Sequence, residues 1–441
     1  MLIKAAFLQN HMLGRKTHTN GGYDKDGIAQ TSQPNGTPSP TPSHASRRGL
    51  DWFVFFVADV QTGFGSFVAV YLTAQKWTQV DIGLVLTIGS LVGLAGQIPG
   101  GAIVDAARST RRAAALAVMA LGASAFALAA WPIFIVVLGS RIAQAGATCV
   151  LGPAMAAISL GLVGRDAIGE RLGRNASFAS AGTGLAAAGM GASGYYLSNQ
   201  AVFFVAAVMV VPALIALFQI KSSEIDSARA QGDTSRSHRS NLAWGLGSLL
   251  ADSSLRIFAV CVILFQLANA AMLPLAASMV TLRSSELATI LVATAIVVPQ
   301  FIVALLSPWV GCKAEQWGRR PLLVLGFGAL AVRGALFALV INPYLIVAVQ
   351  LLDGISAAVL AVMVPLTLAD VSRSTGHFNL AQGVIGCAVG IGAAISTTVV
   401  GYISDHFGSY AAFATMAGIA NAGFVMVWLA MPETRPNANV E

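Results

Sequence analysis

The stretch FIVALLSPWVGCKAEQWGRRPLLVLGFGALAV, residues 301–332, places a short charged island between two apolar runs. Lys313, Glu315, Arg319 and Arg320 crowd together there, in a chain that is 56% hydrophobic and only 10% charged. Such an island is either an ordinary solvated loop between two helices or a device built at their ends. The rest of the chain has to decide.

Mean hydropathy is +0.72 over 441 residues, whereas a soluble chain carries roughly 25% charged residues. The apolar segments recur at about 20 residues, enough to cross a hydrocarbon core of about 30 Å at about 1.5 Å per residue. These lengths predict an all-α membrane protein with spans at 51–74, 82–105, 113–131, 133–156, 175–197, 201–219, 256–281, 286–310, 321–341, 344–369, 380–403 and 410–431. Residues 1–48 are rich in Gly, Pro, Ser, Thr and Asn and have little to bury, which predicts a disordered tail. The opening MLIKAAFLQNHML is too short and polar for a signal-peptide core. The expected layout is a tail (1–48), a six-helix half (49–219), a linker with a short surface helix near Leu242–Leu250 (220–255), a second half (256–431) and a tail (432–441).

Basic residues set the expected sidedness. With the N-terminus inside, only Lys76 and Arg283 fall outside and only Arg141 and Arg333 fall within spans; the rest of the 26 Lys and Arg lie inside. The positive-inside rule therefore predicts two cytoplasmic termini. Trp52, Trp77, Trp131, Trp244, Trp309, Trp317 and Trp428 sit at span ends or beside them, where an amphipathic indole is favoured. The net charge of +7 is thus a matter of topology, and no nucleic-acid partner is expected. Cys149, Cys261, Cys312 and Cys387 have no metal-ligand or disulfide spacing. No catalytic constellation and no phosphate-binding Gly-Lys-Ser/Thr loop appears, so neither an enzyme nor an ATP-driven pump is expected, and no cofactor or metal.

The chain repeats itself. At an offset of 210, Gly101 and Asp105 land on Gly311 and Glu315, and Asp59 lands on Asn269; Arg111-Arg112 falls within two residues of the position matching Arg319-Arg320. At an offset of 209, RIAQAG (141–146) meets QLLDGI (350–355). Such coincidences imply two six-helix halves, the plan of many transporters, whose substrate sites lie where the halves meet.

Here the residues carry a family resemblance. GCKAEQWGRRP matches G-x-x-x-(D/E)-x-x-G-R-R, the loop signature of the major facilitator superfamily, and it lies where that family has it, between spans 8 and 9. The N-terminal copy, GAIVDAARSTRR, is degenerate: Arg108 replaces the second glycine and two extra residues precede the arginines. Arg141 and Gln144 resemble the R-x-x-Q-G element, with its glycine slipped to Gly146, and GYISDHFGSYAAF (401–413) resembles the end-of-span-11 pattern. The resemblance covers about 51–431. It implies twelve spans in two pseudo-symmetric halves and a gate of Gly101, Asp105, Arg111, Arg112, Gly311, Glu315, Gly318, Arg319 and Arg320. An acid at one helix end, facing an arginine and a neighbouring helix N-terminus, would bias a two-state rocking motion. The same loop also serves as a topological anchor.

Charges inside the bilayer are costly and point to function. Asp59 in span 1 and Arg141 in span 4 are candidates for proton coupling, or for a static ion pair. Gln61, Gln144, Gln266, Asn269, Gln350 and Asp353 are substrate-cavity candidates; interhelical hydrogen bonding is the other reading. Arg333 is expected to be structural or to meet lipid headgroups. Span 5 lacks the Gly-Pro pair of the family's antiporter branch, which weighs against proton-driven export. The expected protein is a monomeric secondary transporter of a bacterial inner membrane that exports a small organic solute with proton coupling. An uptake symporter, a facilitator or exchanger, and a non-transporting sensor are the alternatives.

Overall fold

The computed structural model describes residues 42–435, except 65, 166, 227–241, 277–287, 341 and 374–375. Residues 1–41 of the expected tail, much of the linker, and Arg229, Arg236, Arg239 and Arg283 lie outside the described residues.

Among the described residues, fifteen turns or helices make up the twelve spans. Span 1 comprises α1 (His44–Gly63) and α2 (Ser66–Ala74). Spans 2 to 6 are α3 (Gln79–Ala106), α4 (Thr110–Ala130), α5 (Phe134–Val163), α6 (Ile168–Tyr196) and α7 (Asn199–Gln219). A 3-10 turn at Ser222–Glu224 and α8 (Leu242–Ala251) precede α9 (Ser253–Asn269), the first part of span 7. Spans 8 and 9 are α10 (Ala288–Trp317) and α11 (Arg319–Leu339). Span 10 steps from α12 (Pro343–Val349) to α13 (Leu351–Val371), and α14 (Phe378–Ala430) contains spans 11 and 12. Ten helices are long and apolar enough to cross a membrane among the described residues. α6 is not one of them, because glycine, serine and threonine dilute the apolar content of its charge-free part (175–196), and α14 counts once although it turns back at Gly408.

The local reasons are ordinary. Ser43, Thr78, Ser109, Ser198 and Asn342 cap helix starts with side-chain oxygens. Gly318 (φ 89°) and Gly408 (φ 83°) take the left-handed conformation that reverses one span into the next with almost no loop. At the degenerate N-terminal copy no glycine is available, and the chain crosses from α3 to α4 in extended form, Ala107 at ψ 129° and Ser109 at ψ 106°. The two extra residues found in the sequence are the length that this extended link needs.

Packing repeats between halves. Span 1 packs on span 5 as span 7 packs on span 11; spans 2 and 4 pair as do 8 and 10; spans 3 and 4 pair as do 9 and 10. Two seams join the halves, α6 on α10 and α3 on α14. Alternating spans bring Arg48, Arg108, Arg165, Lys221, Arg256, Lys313 and Arg373 to one end, called here the basic face. Large apolar side chains such as Leu185, Phe301 and Leu305 stay exposed on the outside, as suits a surface solvated by lipid.

Four helices overrun the expected span ends at the basic face: α1 starts at 44 rather than 51, α5 ends at 163 rather than 156, α6 starts at 168 rather than 175 and α10 ends at 317 rather than 310. Hydropathy marks the hydrocarbon boundary, whereas the backbone keeps its helical bonds beyond it. Polar side chains stabilise these extensions. Asp51 pairs with Arg171 and Arg174, and Asn175 donates to Ser159 Oγ at 2.7 Å. Glu224 ties the start of α1 to the turn after α7, accepting from Ser43 N at 3.0 Å and Ser43 Oγ at 2.9 Å.

Two predictions follow from this packing. Gly408 has no atom near an added Cβ, so Gly408→Ala meets only the left-handed backbone cost of about 1–2 kcal/mol. The thermal unfolding midpoint in detergent should fall for this variant and hold or rise for Gly401→Ala, whose Cβ is equally unobstructed and whose φ is helical, since Ala is favoured over Gly inside a helix by about 0.5–1 kcal/mol. The donors on Glu224, led by the Ser43 amide, hold its carboxyl down at about 2. A lowered folded value stabilises at every pH above the ordinary glutamate range. Protection of the Ser43 amide from hydrogen exchange should therefore persist at neutral pH and fade only as pH drops from about 4.5 toward about 2.

Candidate functional site

The two copies of the charged loop occupy equivalent places on the two seams and behave differently. At the end of α3, buried Asp105 crosses to the other half. Its Oδ2 accepts from Leu380 N at 2.9 Å, and its Oδ1 accepts from Asn379 Nδ2 at 2.7 Å. It thus takes up free N–H groups at the start of α14, where the helix dipole also favours an anion. Gly101 makes the approach possible, since a Cβ there would stand 2.8 Å from the Asn379 carbonyl carbon.

At the end of α10, Gly311 meets Gly169 and Gly173 of α6, and a Cβ on Gly311 would stand 3.0 Å from the Gly169 carbonyl carbon. Glu315 turns back to its own half: Oε2 accepts from Arg319 Nη1 at 3.3 Å. Its Oε1 is buried against the start of α6 and has no donor among the described residues. Buried Arg319 also donates from Nε to Asp370 Oδ2 at 2.9 Å and from Nη1 to the Ala314 carbonyl at 2.7 Å. Gly318 shapes the turn, and the N–H groups of Arg319 and Arg320 donate to Glu433 at 2.8 and 3.1 Å. Arg320 further donates to the Trp428 carbonyl. Arg111 donates to the Ile220 carbonyl at 2.6 Å and to Ser222 Oγ at 2.9 Å, and Arg112 is exposed. Arg111 therefore anchors the chain after α7 within its own half.

Further inter-half contacts lie near the same end. Ser177 Oγ donates to the Ala304 carbonyl at 2.6 Å, Arg165 donates to the Ala369 carbonyl, and Cys387 Sγ lies 3.4 Å from the Leu94 carbonyl. Toward the opposite face, Leu91, Ile391 and Ile395 are exposed. The halves are closed at the basic face.

Deeper in the bilayer both halves contain a broken helix with a buried arginine beside it. Span 1 breaks after Phe64, and Arg141 Nη1 donates to the Phe64 carbonyl at 3.1 Å and to Gln144 Oε1 at 3.0 Å. Gln144 continues to Thr148 Oγ1 at 3.2 Å. Span 7 breaks after Asn269, where Arg333 Nη1 donates to Asn269 Oδ1 at 2.6 Å and pairs with Asp353.

These contacts revise several expectations. Asp59 is half-buried and forms no pair with Arg141 or with any basic group among the described residues; Arg141 serves the broken end of α1 instead. Arg333 is 1% exposed, so it meets no lipid headgroup and neutralises Asp353 inside the second half. Asn269 and Asp353 come together on that arginine. Gln350 is fully buried and donates to the Ala295 carbonyl at 3.2 Å, which turns it away from any open cavity. Gln266 packs against Gly392 of α14, and Gln61 is half-buried on α1. Sequence reasoning missed Asp51, Glu224, Asp370 and Glu433. All are acids at or near the ends of apolar runs, where charge is ordinary, so only their partners mark them.

Comparison with known proteins is consistent in kind. The profile described as Major Facilitator Superfamily matches residues 52–265 and 282–441. Two proteins named as uncharacterized MFS-type transporters, from two strains of Mycobacterium tuberculosis, are each 37% identical over 405 residues, covering 91% of this chain and 96% of theirs. Among solved structures, the E. coli fucose:proton symporter superposes with TM-score 0.69 at 14% identity, covering 87% of this chain and 98% of that one. The human organic anion transporter TETRAN gives 0.66 at 16% identity, covering 89% and 100%. At these identities the superpositions speak for the fold alone.

The unequal locks predict unequal variants. Asp105→Asn weakens charge-assisted bonds of about 1.5–3 kcal/mol each and should open the basic face, raising maleimide labelling of Leu380→Cys (the native Leu380 is 2% exposed) by about tenfold. Glu315→Gln should raise it less. Equal labelling of the two would contradict this assignment.

Proposed function

The chain belongs to the major facilitator superfamily, and from that premise we propose that it exports a small organic solute from a bacterial cytoplasm by alternating access coupled to protons. The observation that carries the reading is the Asp105 lock, which joins the halves only through bonds that a rocking of one half would break. A set of contacts stable in one arrangement and absent in another is what a two-state cycle needs. The basic face is placed in the cytoplasm on the positive-inside rule, with the working unit a monomer in the inner membrane. The closed arrangement is then the one that opens outward.

Asp59 supplies the coupling. A carboxylate inside a span costs about 2.5–3.5 kcal/mol on insertion scales, and this one has no cation among the described residues to offset that cost. Its protonation state can then follow the compartment it meets, so one proton moves inward as the solute moves out. Arg141, at the break of α1, is the group through which that change reaches the helix. Gln61, Gln144 and Gln266 remain the solute-facing candidates; Asn269, Gln350 and Asp353 hold helices together. The superposed transporters are named for an organic anion and for fucose with protons. A fold that serves such different cargoes passes on none of them.

One observation favours a second reading, uptake or facilitated exchange: α6 runs from Ile168 to Tyr196 without a proline, lacking the Gly-Pro pair that resembles the antiporter branch.

Proteoliposomes with a lumenal pH dye, challenged with pooled candidate solutes, test both. A solute-dependent proton signal is expected for the parent and not for Asp59→Asn, which should retain solute counter-exchange. Solute movement without proton movement in the parent would favour the facilitator, and loss of both activities in Asp59→Asn would make Asp59 structural.

A further inference from the structure

A cavity of about 550 Å³ opens at the basic face between the starts of α1 and α6, lined by no residue of the second half. Arg47, Arg48, Arg171 and Arg174 line it together with His44. Two carboxylates also border it. Asp51 is 1% exposed and already committed to Arg171 and Arg174, accepting from Arg174 Nη2 at 2.6 Å. Glu170 is exposed and is outnumbered. With His44 neutral, four guanidinium groups against two carboxylates leave the lining net positive. Arg47 and Arg48 are exposed and pair with no carboxylate among the described residues. α6 begins at Ala167 without a side-chain cap, which adds its N-terminal dipole to the same field. The site has the charge and the donors for a phosphate group.

The surface just beyond the cavity says which phosphate. One helical turn deeper from Arg48 stands Trp52, 41% exposed, and one turn deeper from Arg174 stands Phe178. Their rings meet edge to face at 6.0 Å, and the Arg174 guanidinium lies 5.6 Å over Phe178. Trp52 also stacks on Phe56 at 5.8 Å. A soluble phosphate ester would use the arginines and leave this aromatic ridge bare. A phospholipid uses both, with its phosphate at the mouth and its chains along the ridge. Basic pockets of this kind between spans bind anionic headgroups.

We propose that this cavity is a binding site for an anionic phospholipid, its phosphate held by Arg47, Arg48 and Arg174 and its acyl chains lying along Trp52 and Phe178. Occupation ties α1 to α6 within the first half. It uses neither the seam residues nor Asp59, so it stands independently of the direction and coupling proposed above.

Binding of labelled phosphatidylglycerol and phosphatidylcholine of equal chain length to the purified full-length protein, in mixed micelles, tests the site. Arg47→Gln/Arg48→Gln should weaken phosphatidylglycerol binding by about tenfold. Arg47→Lys/Arg48→Lys should largely retain it. Arg256→Gln/Lys313→Gln removes the same charge elsewhere on the basic face and should leave binding unchanged. Equal affinity for the two lipids, or equal losses in both Gln pairs, would overturn the proposal. So would displacement of phosphatidylglycerol by inorganic phosphate at comparable concentration, which would make the ligand a soluble anion.

Discussion

The closed form of the molecule depends on a carboxylate that completes a helix belonging to the other half. The first turn of any α-helix has N–H groups without intrahelical acceptors, and in a membrane protein these are costly to leave bare. At the start of α14 the acceptors come from Asp105 of α3. The bond set is therefore part of the secondary structure of one half and part of the tertiary structure of the other. The halves cannot separate at the basic face without uncapping α14. Gly101 is the steric condition for this arrangement, and the close seam farther along, where Gln97 fills the space beside Gly383 and Gly386, follows from the same approach.

The second seam satisfies the same geometry with different chemistry. Glycines on both sides, Gly169 and Gly173 against Gly311, bring the ends of α6 and α10 into close contact, and farther along Ser177 Oγ donates to the Ala304 carbonyl at 2.6 Å. Glu315 occupies the place of Asp105 and spends its charge on Arg319, which is itself shared with Asp370. One seam carries a charge-assisted bond set between the halves, and the other a close glycine contact with a neutral hydrogen bond.

Much of this was legible in the sequence, and its failures have physical causes. Hydropathy located the spans and the repeat at 210 located both seam copies, since both signals come from a constraint that acts on many residues at once. The overrun of α1, α5, α6 and α10 was illegible, because stability there comes from pairs such as Asp51 with Arg171 rather than from apolar periodicity. Completeness of the pattern does not track contact between the halves. The signature at 311–321 is complete, yet what completes it is Gly318 and the paired arginines, which shape a turn and seat Glu433. The latch needs only Gly101 and Asp105, and the degenerate copy kept both. Arg333 was left between a structural and a lipid-facing role because its depth in span 9 could be counted while its direction could not; burial and Asp353 decide for the structural one.

The two buried arginines reveal a deeper correspondence than the loop motif does. Span 1 and span 7 open their halves, and each breaks in mid-membrane, at Phe64 and at Asn269. A broken helix exposes carbonyls at the end of its first segment, and in lipid something must accept the cost or supply a donor. Arg141 donates to the Phe64 carbonyl, whereas Arg333 reaches Asn269 through the side-chain oxygen. The donors come from different spans, the fourth of one half and the third of the other, so sequence repetition does not carry them. Their charges are balanced differently as well. Arg333 has Asp353, which makes the second break a fixed joint. Arg141 has no carboxylate among the described residues, so the first break is held by neutral acceptors alone and yields more easily to a change of charge nearby. Asp59 lies five positions before Phe64 on that same helix, so the one carboxylate within α1 that pairs with no basic group among the described residues stands just over one turn from the break that neutral acceptors hold.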